Sequence, residues 1–207
     1  MITSFPNLLT LSRIGVIPAI VALFWFDSEL TRWVILGLYT FACLTDFFDG
    51  YAARSMGTIS NFGKFLDPVA DKLLVAAVIL MLVAFDRISG LSILAGLVIL
   101  CREMLVSGLR EFLADIKVGV PVSKLAKWKT VIQMFTLGFL IIGDAAPDMI
   151  PATLIGDTGL WIAAALTIVT GYDYLKTGLK HLTAIETPPP AEASESPAPR
   201  AENSGAG

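Results

Sequence analysis

The sequence contains a single histidine and only two cysteines in 207 residues, and each scarcity removes a class of chemistry. Cys43 and Cys101 both fall inside apolar segments, where neither a structural disulfide nor a thiolate metal site is expected, so both read as packing residues. His181 lies near the far end of the chain and is a poor candidate for a general base. The opening residues, MITSFPN, have no basic stretch, and no A-x-A site follows the first apolar block. A cleavable signal peptide is therefore not expected. What the chain has in excess is apolar surface: it is 55% hydrophobic, with a mean hydropathy of +0.73, where a soluble domain is nearer about 45–50% apolar. The apolar residues are gathered in long blocks, which indicates an integral membrane protein. At about 20 helical residues per span, the chain has room for about six.

The expected fold is an all-α polytopic membrane protein with six transmembrane helices and an interfacial N-terminal segment. The spans are read at about 8–26, 33–54, 63–85, 91–115, 126–142 and 159–179. Residues 1–7, broken by Pro6, form the interfacial cap. Pro18 lies inside the first span and removes a backbone donor there. Residues 55–62, rich in Gly, Ser and Asn, read as a loop. Residues 116–129 are basic, and 143–157 form an acidic, proline-bearing turn. Residues 1–186 thus make one membrane domain. Residues 187–207, built mainly from Pro, Ala, Glu and Ser, cannot bury apolar surface and read as a disordered tail.

The net charge of −3 conceals a segregation of sign. Of the 15 Lys and Arg residues, only Arg32 and Arg87 fall on the turns after the first, third and fifth spans; the remaining thirteen lie at the other ends. The same turns carry Asp27, Glu29, Asp86, Asp144, Asp148 and Asp157. Positive residues stay on the cytoplasmic side. This places both termini on the cytoplasmic face of the cell (inner) membrane.

Against this background the stretch from Asp46 to Asp71 is anomalous. It reads D-x2-D-G-x2-A-R-x8-G-x3-D-x3-D, with the fixed positions Asp46, Asp49, Gly50, Ala53, Arg54, Gly63, Asp67 and Asp71. Ionised groups at membrane depth are costly and mark function. On a helix, Asp46, Asp49 and Ala53 share one stripe, and Asp67 and Asp71 share another. A short connection makes the two helices antiparallel neighbours whose stripes can face each other. Gly50 and Ala53 lack bulk, leaving room for a close backbone or a ligand. Four carboxylates repel unless cations sit between them, and hard oxygen ligands in this number suit Mg²⁺ or Mn²⁺. Two such ions, about 3.5–4 Å apart, form the clamp used in phosphoryl displacement. Arg54 can meet a phosphate with its fork of donors. Each acid also has a plainer reading. Asp67 before Pro68 fits a helix N-cap, Asp71 and Lys72 fit an interfacial pair, and Asp46 fits a lone polar packing residue.

The eight fixed positions match the signature of the CDP-alcohol phosphotransferases, and the chain resembles that family. The resemblance implies a six-helix membrane enzyme that moves a phosphatidyl or similar group from a CDP-linked donor to an alcohol, releasing CMP. It implies that Asp46, Asp49, Asp67 and Asp71 hold two divalent cations and that Asp71 is also the general base. It implies that Gly50, Ala53 and Gly63 line a cytidine pocket with Arg54 on the nucleotide side, and that Asn7 and Thr10 reach the nucleotide from the first helix. Three more stretches, Asn7 to Arg13 (NLLTLSR), Arg102 to Glu111 (REMLVSGLRE) and Lys127 to Met134 (KWKTVIQM), resemble the branch whose donor is CDP-diacylglycerol and whose acceptor is sn-glycerol 3-phosphate. Arg110, Lys124, Lys127 and Lys129 then become candidates for the acceptor phosphate. The lysines equally fit positive-inside topology and contact with anionic membrane lipids.

Alternatives with the same donor are inositol phosphate, serine or phosphatidylglycerol as acceptor. A divalent-cation transporter is a different class, disfavoured because the acids cluster near one face. A purely structural membrane protein gives no reason for four acids. Nucleic acid is not an expected partner, and a homodimer is an open option for assembly.

Overall fold

The computed structural model describes residues 5–56, 61–116 and 124–186; within these, the side chains at 5–7, 47–56, 61, 62, 64, 65, 124 and 180–186 are outside the described set. The expected tail at 187–207, the side chain of His181, and the middle of the 55–62 and 116–129 loops therefore lie outside it. Among the described residues six helices succeed one another: α1 Phe5–Leu23, α2 Glu29–Met56, α3 Asn61–Ala84, α4 Ser92–Asp115, α5 Lys124–Ile142 and α6 Ala152–Glu186, with a short 3₁₀ turn at Gly143–Ala145. No strand occurs among the described residues.

Several boundaries differ from the sequence reading, each for a local reason. Helix α1 already includes Phe5–Asn7, and residues 1–4 of the expected interfacial segment lie outside the described residues. Pro6 sits in its first turn, where the missing N–H has no intrahelical partner to lose. The helix stops at Leu23, not at 26, because the chain must turn. Ser28 then caps α2, accepting from the Thr31 N–H at 3.2 Å. Helix α2 extends to Met56 and α3 begins at Asn61, so the loop expected at 55–62 is shorter than read. Helix α6 starts at Ala152, not near 159. Pro151 initiates it, with the Ile155 N–H donating to the Pro151 carbonyl at 3.0 Å, so the proline opens a helix instead of prolonging the turn.

The turns after α1, α3 and α5 meet at one end of the bundle. Arg87, between α3 and α4, donates to Asp27 after α1 at 2.8 Å and to the Ile141 carbonyl of α5 at 2.6 Å. Successive helices therefore run in alternating directions. Asp86 adopts φ 55, a left-handed turn that Asp tolerates, and the Arg87 N–H after it closes on the Leu82 carbonyl at 2.8 Å.

Helix α1 packs along both α2 and α3, α5 along α6 and α2, α4 along α6, and α3 along α4 and α5. The joined ends of the two carboxylate-bearing helices, where direct packing is expected, lie outside the described side chains. Among the described residues α1 packs along each of them, with no comparable α2–α3 packing.

The core is apolar and drawn from all six helices, with Ile20, Ile35, Val78, Ile99, Leu137 and Leu160 among its buried members. Glycines let α6 come close to its neighbours. A Cβ on Gly156 would lie 2.7 Å from Leu140 of α5, and one on Gly171 would lie 2.9 Å from the Arg102 stem of α4.

Among the described residues three helices are long and apolar enough to cross a membrane: Ser92–Asp115, Leu125–Ala145 and Ala152–Leu179, with a shorter apolar stretch at Leu8–Leu23. Their outward side chains include Leu94, Leu97, Phe135, Ile162 and Ile168, all exposed, which suits lipid better than water. Helix α2 is less apolar, and α3, though apolar, carries Asp67, Asp71 and Lys72 along its length.

Candidate active site

At the end of the bundle opposite the three turns, polar side chains from five helices converge. Asp67 and Asp71 do share one stripe of α3, and α2 continues unbroken through Asp46 and Asp49. Asp67 is the seventh residue of α3, so the N-cap reading of Asp67–Pro68 is excluded. Pro68 lies deeper in the helix than its first turn.

Helix α1 holds the two stripes. Thr10, 1% exposed, donates its hydroxyl to Asp67 Oδ1 at 2.5 Å. One turn on, Arg13, also 1% exposed, donates Nη1 to Asp46 Oδ1 at 2.8 Å. Asp46 is itself 38% exposed, so one face of its carboxylate stays available. Thr10 is expected from the sequence to contact the nucleotide; in the structure its hydroxyl supports a carboxylate. Arg13, which in the sequence only marks topology, is the site residue that sequence reasoning misses. The available signal is a lone arginine one turn after a threonine in an apolar helix, where an unpaired charge is expensive.

Charge–charge interactions link Asp46 with Asp67, Arg13 and Lys72, and Asp71 with Asp46, Lys72, Glu103 and Arg13. Lys72 donates to the Pro68 carbonyl at 2.9 Å and does not form a simple pair with Asp71. Among the described residues no three acidic, His or Cys side chains converge closely enough to hold an ion; Asp49 lies outside that comparison.

Asp71 lines a cavity of about 30 Å³ between α3, α4 and α5, together with Lys72, Glu103, Lys129 and Gln133. Lys129, 4% exposed, is paired with Glu103, and Arg102 lies 3.6 Å from the same carboxylate. Arg102 also donates to Thr170 Oγ1 of α6 at 2.9 Å. Arg110 donates to the Tyr174 hydroxyl at 3.1 Å and lies 5.2 Å from that ring's centre. Neither partner cancels its charge.

The predicted acceptor cations thus separate. Arg110 and Lys127 are exposed, Lys129 is buried and already paired, and the Lys124 side chain is outside the described set. Gly63 is buried in α3, while Asn7, Asp49, Gly50, Ala53 and Arg54 lie on α1 and α2 with side chains outside the described set.

Residues 3–169 match the model of the CDP-alcohol phosphatidyltransferase family. The chain belongs to this family. Among its relatives, the Rickettsia bellii protein named CDP-diacylglycerol–glycerol-3-phosphate 3-phosphatidyltransferase is 51% identical over 178 residues, covering 86% of this chain and 97% of the relative. The Bacillus subtilis protein of the same name is 35% identical, covering 89% of this chain and 98% of the relative. The fold is that of Mycobacterium tuberculosis phosphatidylinositol phosphate synthase. Its structure with CDP-DAG bound gives a TM-score of 0.61 at 21% identity, over 86% of this chain and 87% of that one. Its complex with manganese and citrate gives 0.60 at 19% identity, over 84% and 81%.

Proposed function

We propose that this family member transfers the phosphatidyl group of CDP-diacylglycerol to sn-glycerol 3-phosphate, giving phosphatidylglycerophosphate and CMP. The carrying observation is the 51% identity to a relative of that name over nearly the whole of both proteins. In this reading the acceptor hydroxyl oxygen attacks the phosphatidyl phosphorus and its proton passes to the Asp71 carboxylate. The phosphorus–oxygen bond to CMP breaks, and CMP leaves. Asp71 suits the base because it lies at a cavity shared with a buried lysine and a buried amide, and a positioned carboxylate can take such a proton.

Divalent cations, two ions of Mg²⁺ or Mn²⁺, suit the donor set. Asp46, Asp67 and Asp71 are brought within electrostatic reach from two helices, and their carboxylate oxygens are hard donors. Asp49, on the Asp46 stripe, would complete the set. Bound ions would neutralise the donor diphosphate and the charge that develops in transfer. Arg110, Lys127 and Lys124 are assigned to the acceptor phosphate. Lys129 is reassigned to the cavity wall, since Glu103 already meets its charge. Asn7, Gly50, Ala53, Arg54 and Gly63 are assigned to the nucleotide side, with Thr10 acting through Asp67.

All six helices cross the inner membrane in this reading, with both termini and the site cytoplasmic. Alternating helix direction and the gathering of Arg32, Arg87 and the acidic turns at the far end support that orientation. The test is CMP release by purified protein supplied with CDP-diacylglycerol, Mg²⁺ and each acceptor in turn. Glycerol 3-phosphate should support turnover, and chelation should abolish it until metal is restored. Turnover with inositol phosphate, serine or phosphatidylglycerol, and none with glycerol 3-phosphate, would overturn the assignment.

A further inference from the structure

The cavity beside Asp71 has one unmet demand. Both of its lysines have partners: Lys129 pairs with Glu103, and Lys72 bonds the Pro68 carbonyl. Gln133 of α5 is different. It lines the same cavity, is 4% exposed, and its Oε1 is buried with no hydrogen-bond partner among the described residues. A buried acceptor left unmade costs free energy and calls for an explanation. What it lacks is a donor, and a neutral O–H fits better than a cation in a cavity that already holds a lysine. The cavity, about 30 Å³, has room for a group of the size of a hydroxyl or one or two waters.

Glycerol 3-phosphate carries two hydroxyls. In the proposed reaction one of them attacks and passes its proton to Asp71, which leaves the other unassigned. We propose that Gln133 recognises the acceptor's non-reacting hydroxyl, accepting its hydrogen bond at Oε1 and so setting which hydroxyl is presented to Asp71. The inference rests on the proposed transferase activity. It adds a specificity residue to a site whose cations select only for the phosphate. Charge selects for any phosphorylated alcohol; a buried amide selects for a polyol among them.

The test compares glycerol 3-phosphate with 3-hydroxypropyl phosphate, which keeps the phosphate and a primary hydroxyl but lacks the other. Wild-type protein and Gln133→Leu are assayed for CMP release with both. Wild type should prefer glycerol 3-phosphate in kcat/KM by roughly 10- to 100-fold, the range of one buried hydrogen bond. Gln133→Leu should reduce that preference to within roughly threefold by losing activity on glycerol 3-phosphate, not by gaining it on the analogue. A second readout needs no turnover. Glycerol 3-phosphate should raise the unfolding temperature of wild type and raise that of the variant much less, while the unliganded variant should be at least as stable as wild type, since an orphaned acceptor has been removed. Wild type active on glycerol 3-phosphate but with the same preference in both proteins would overturn the role of Gln133 alone, leaving a trapped water as its partner. Wild type inactive on glycerol 3-phosphate would overturn the transferase assignment and this inference with it.

Discussion

At the turn end of the bundle, Asp27 accepts from Arg32 at 2.9 Å and from Arg87 at 2.8 Å, and Arg87 spends its other nitrogen on a helix-terminal carbonyl. At the opposite end, Asp46 and Asp67 each accept from α1, while Asp71 faces a cavity with an unpartnered amide oxygen on its wall. Both ends pair arginines with aspartates, so the presence of such pairs does not separate them. The difference lies in how these groups are matched. At the turn end Asp27, Arg32 and Arg87 are matched to one another and to a carbonyl, which makes them a clip joining three turns. The other end buries Arg13 and Lys129, leaves part of Asp46 open and keeps an acceptor without a donor. Matched charge holds a fold together; unmatched polar demand is where a ligand gains binding energy.

If that contrast is right, Asp71→Asn should have the largest effect of any single change. CMP release should fall by roughly 10³-fold, with thermal unfolding in detergent unchanged. Near-normal turnover would remove Asp71 from the chemistry. Arg13→Gln comes next, because it leaves Asp46 without its buried partner. Breaking such a pair is strongly destabilising when both members are buried; with Asp46 partly exposed, a loss of about 2–3 kcal/mol is expected, together with reduced turnover. Unfolding at wild-type denaturant concentration would show that solvent replaces the arginine. Lys127→Ala should leave kcat nearly intact and raise the KM for glycerol 3-phosphate by roughly three- to tenfold. An unchanged KM would return that exposed lysine to a topology or lipid-contact role.

The smallest effect belongs to the clip. Asp27→Asn should leave turnover unchanged and lower stability by less than about 1 kcal/mol, as for other exposed pairs. Its pH signature is more telling than its size. The Arg32 hydrogen bond, aided by Arg87, holds the Asp27 carboxyl below its ordinary value. A depressed carboxyl contributes stability above the ordinary aspartate range, and that contribution is lost as pH falls through the depressed value. Melting wild type and variant from about pH 6 to about pH 3, across the ordinary aspartate value near 4, should show their difference shrink as the solution becomes more acid. A gap that stays constant would mean that the pair contributes nothing.

Much of the site is legible in the sequence because its spacing is local. Asp46 with Asp49, and Asp67 with Asp71, are one helical turn apart, and a helix places such residues on one face whatever packs beside it. The start of helix α6 is not legible in the same way, because Pro151 can end a turn or open a helix, and the choice depends on how the next turn of chain packs against α5. Arg13 is easily undervalued because its partner is 33 residues away. Lys129 looks free for a phosphate because Glu103, 26 residues away on α4, is invisible to periodicity. Gln133 looks like one polar residue in an apolar run, and only the cavity makes its missing donor apparent.

The amino-acid sequence by itself determined that the chain is helical and apolar, where its acids fall, and, through the eight-position signature, which family it belongs to. These properties depend on residue type and on separations of a few residues, and helix geometry converts both directly into faces. The bundle decided that α1 bridges the two acidic helices, that Lys129 belongs to Glu103, and that Gln133 waits on a cavity beside Asp71. Those pairings join side chains on separate helices, and no helical period carries information about which helix will lie beside which.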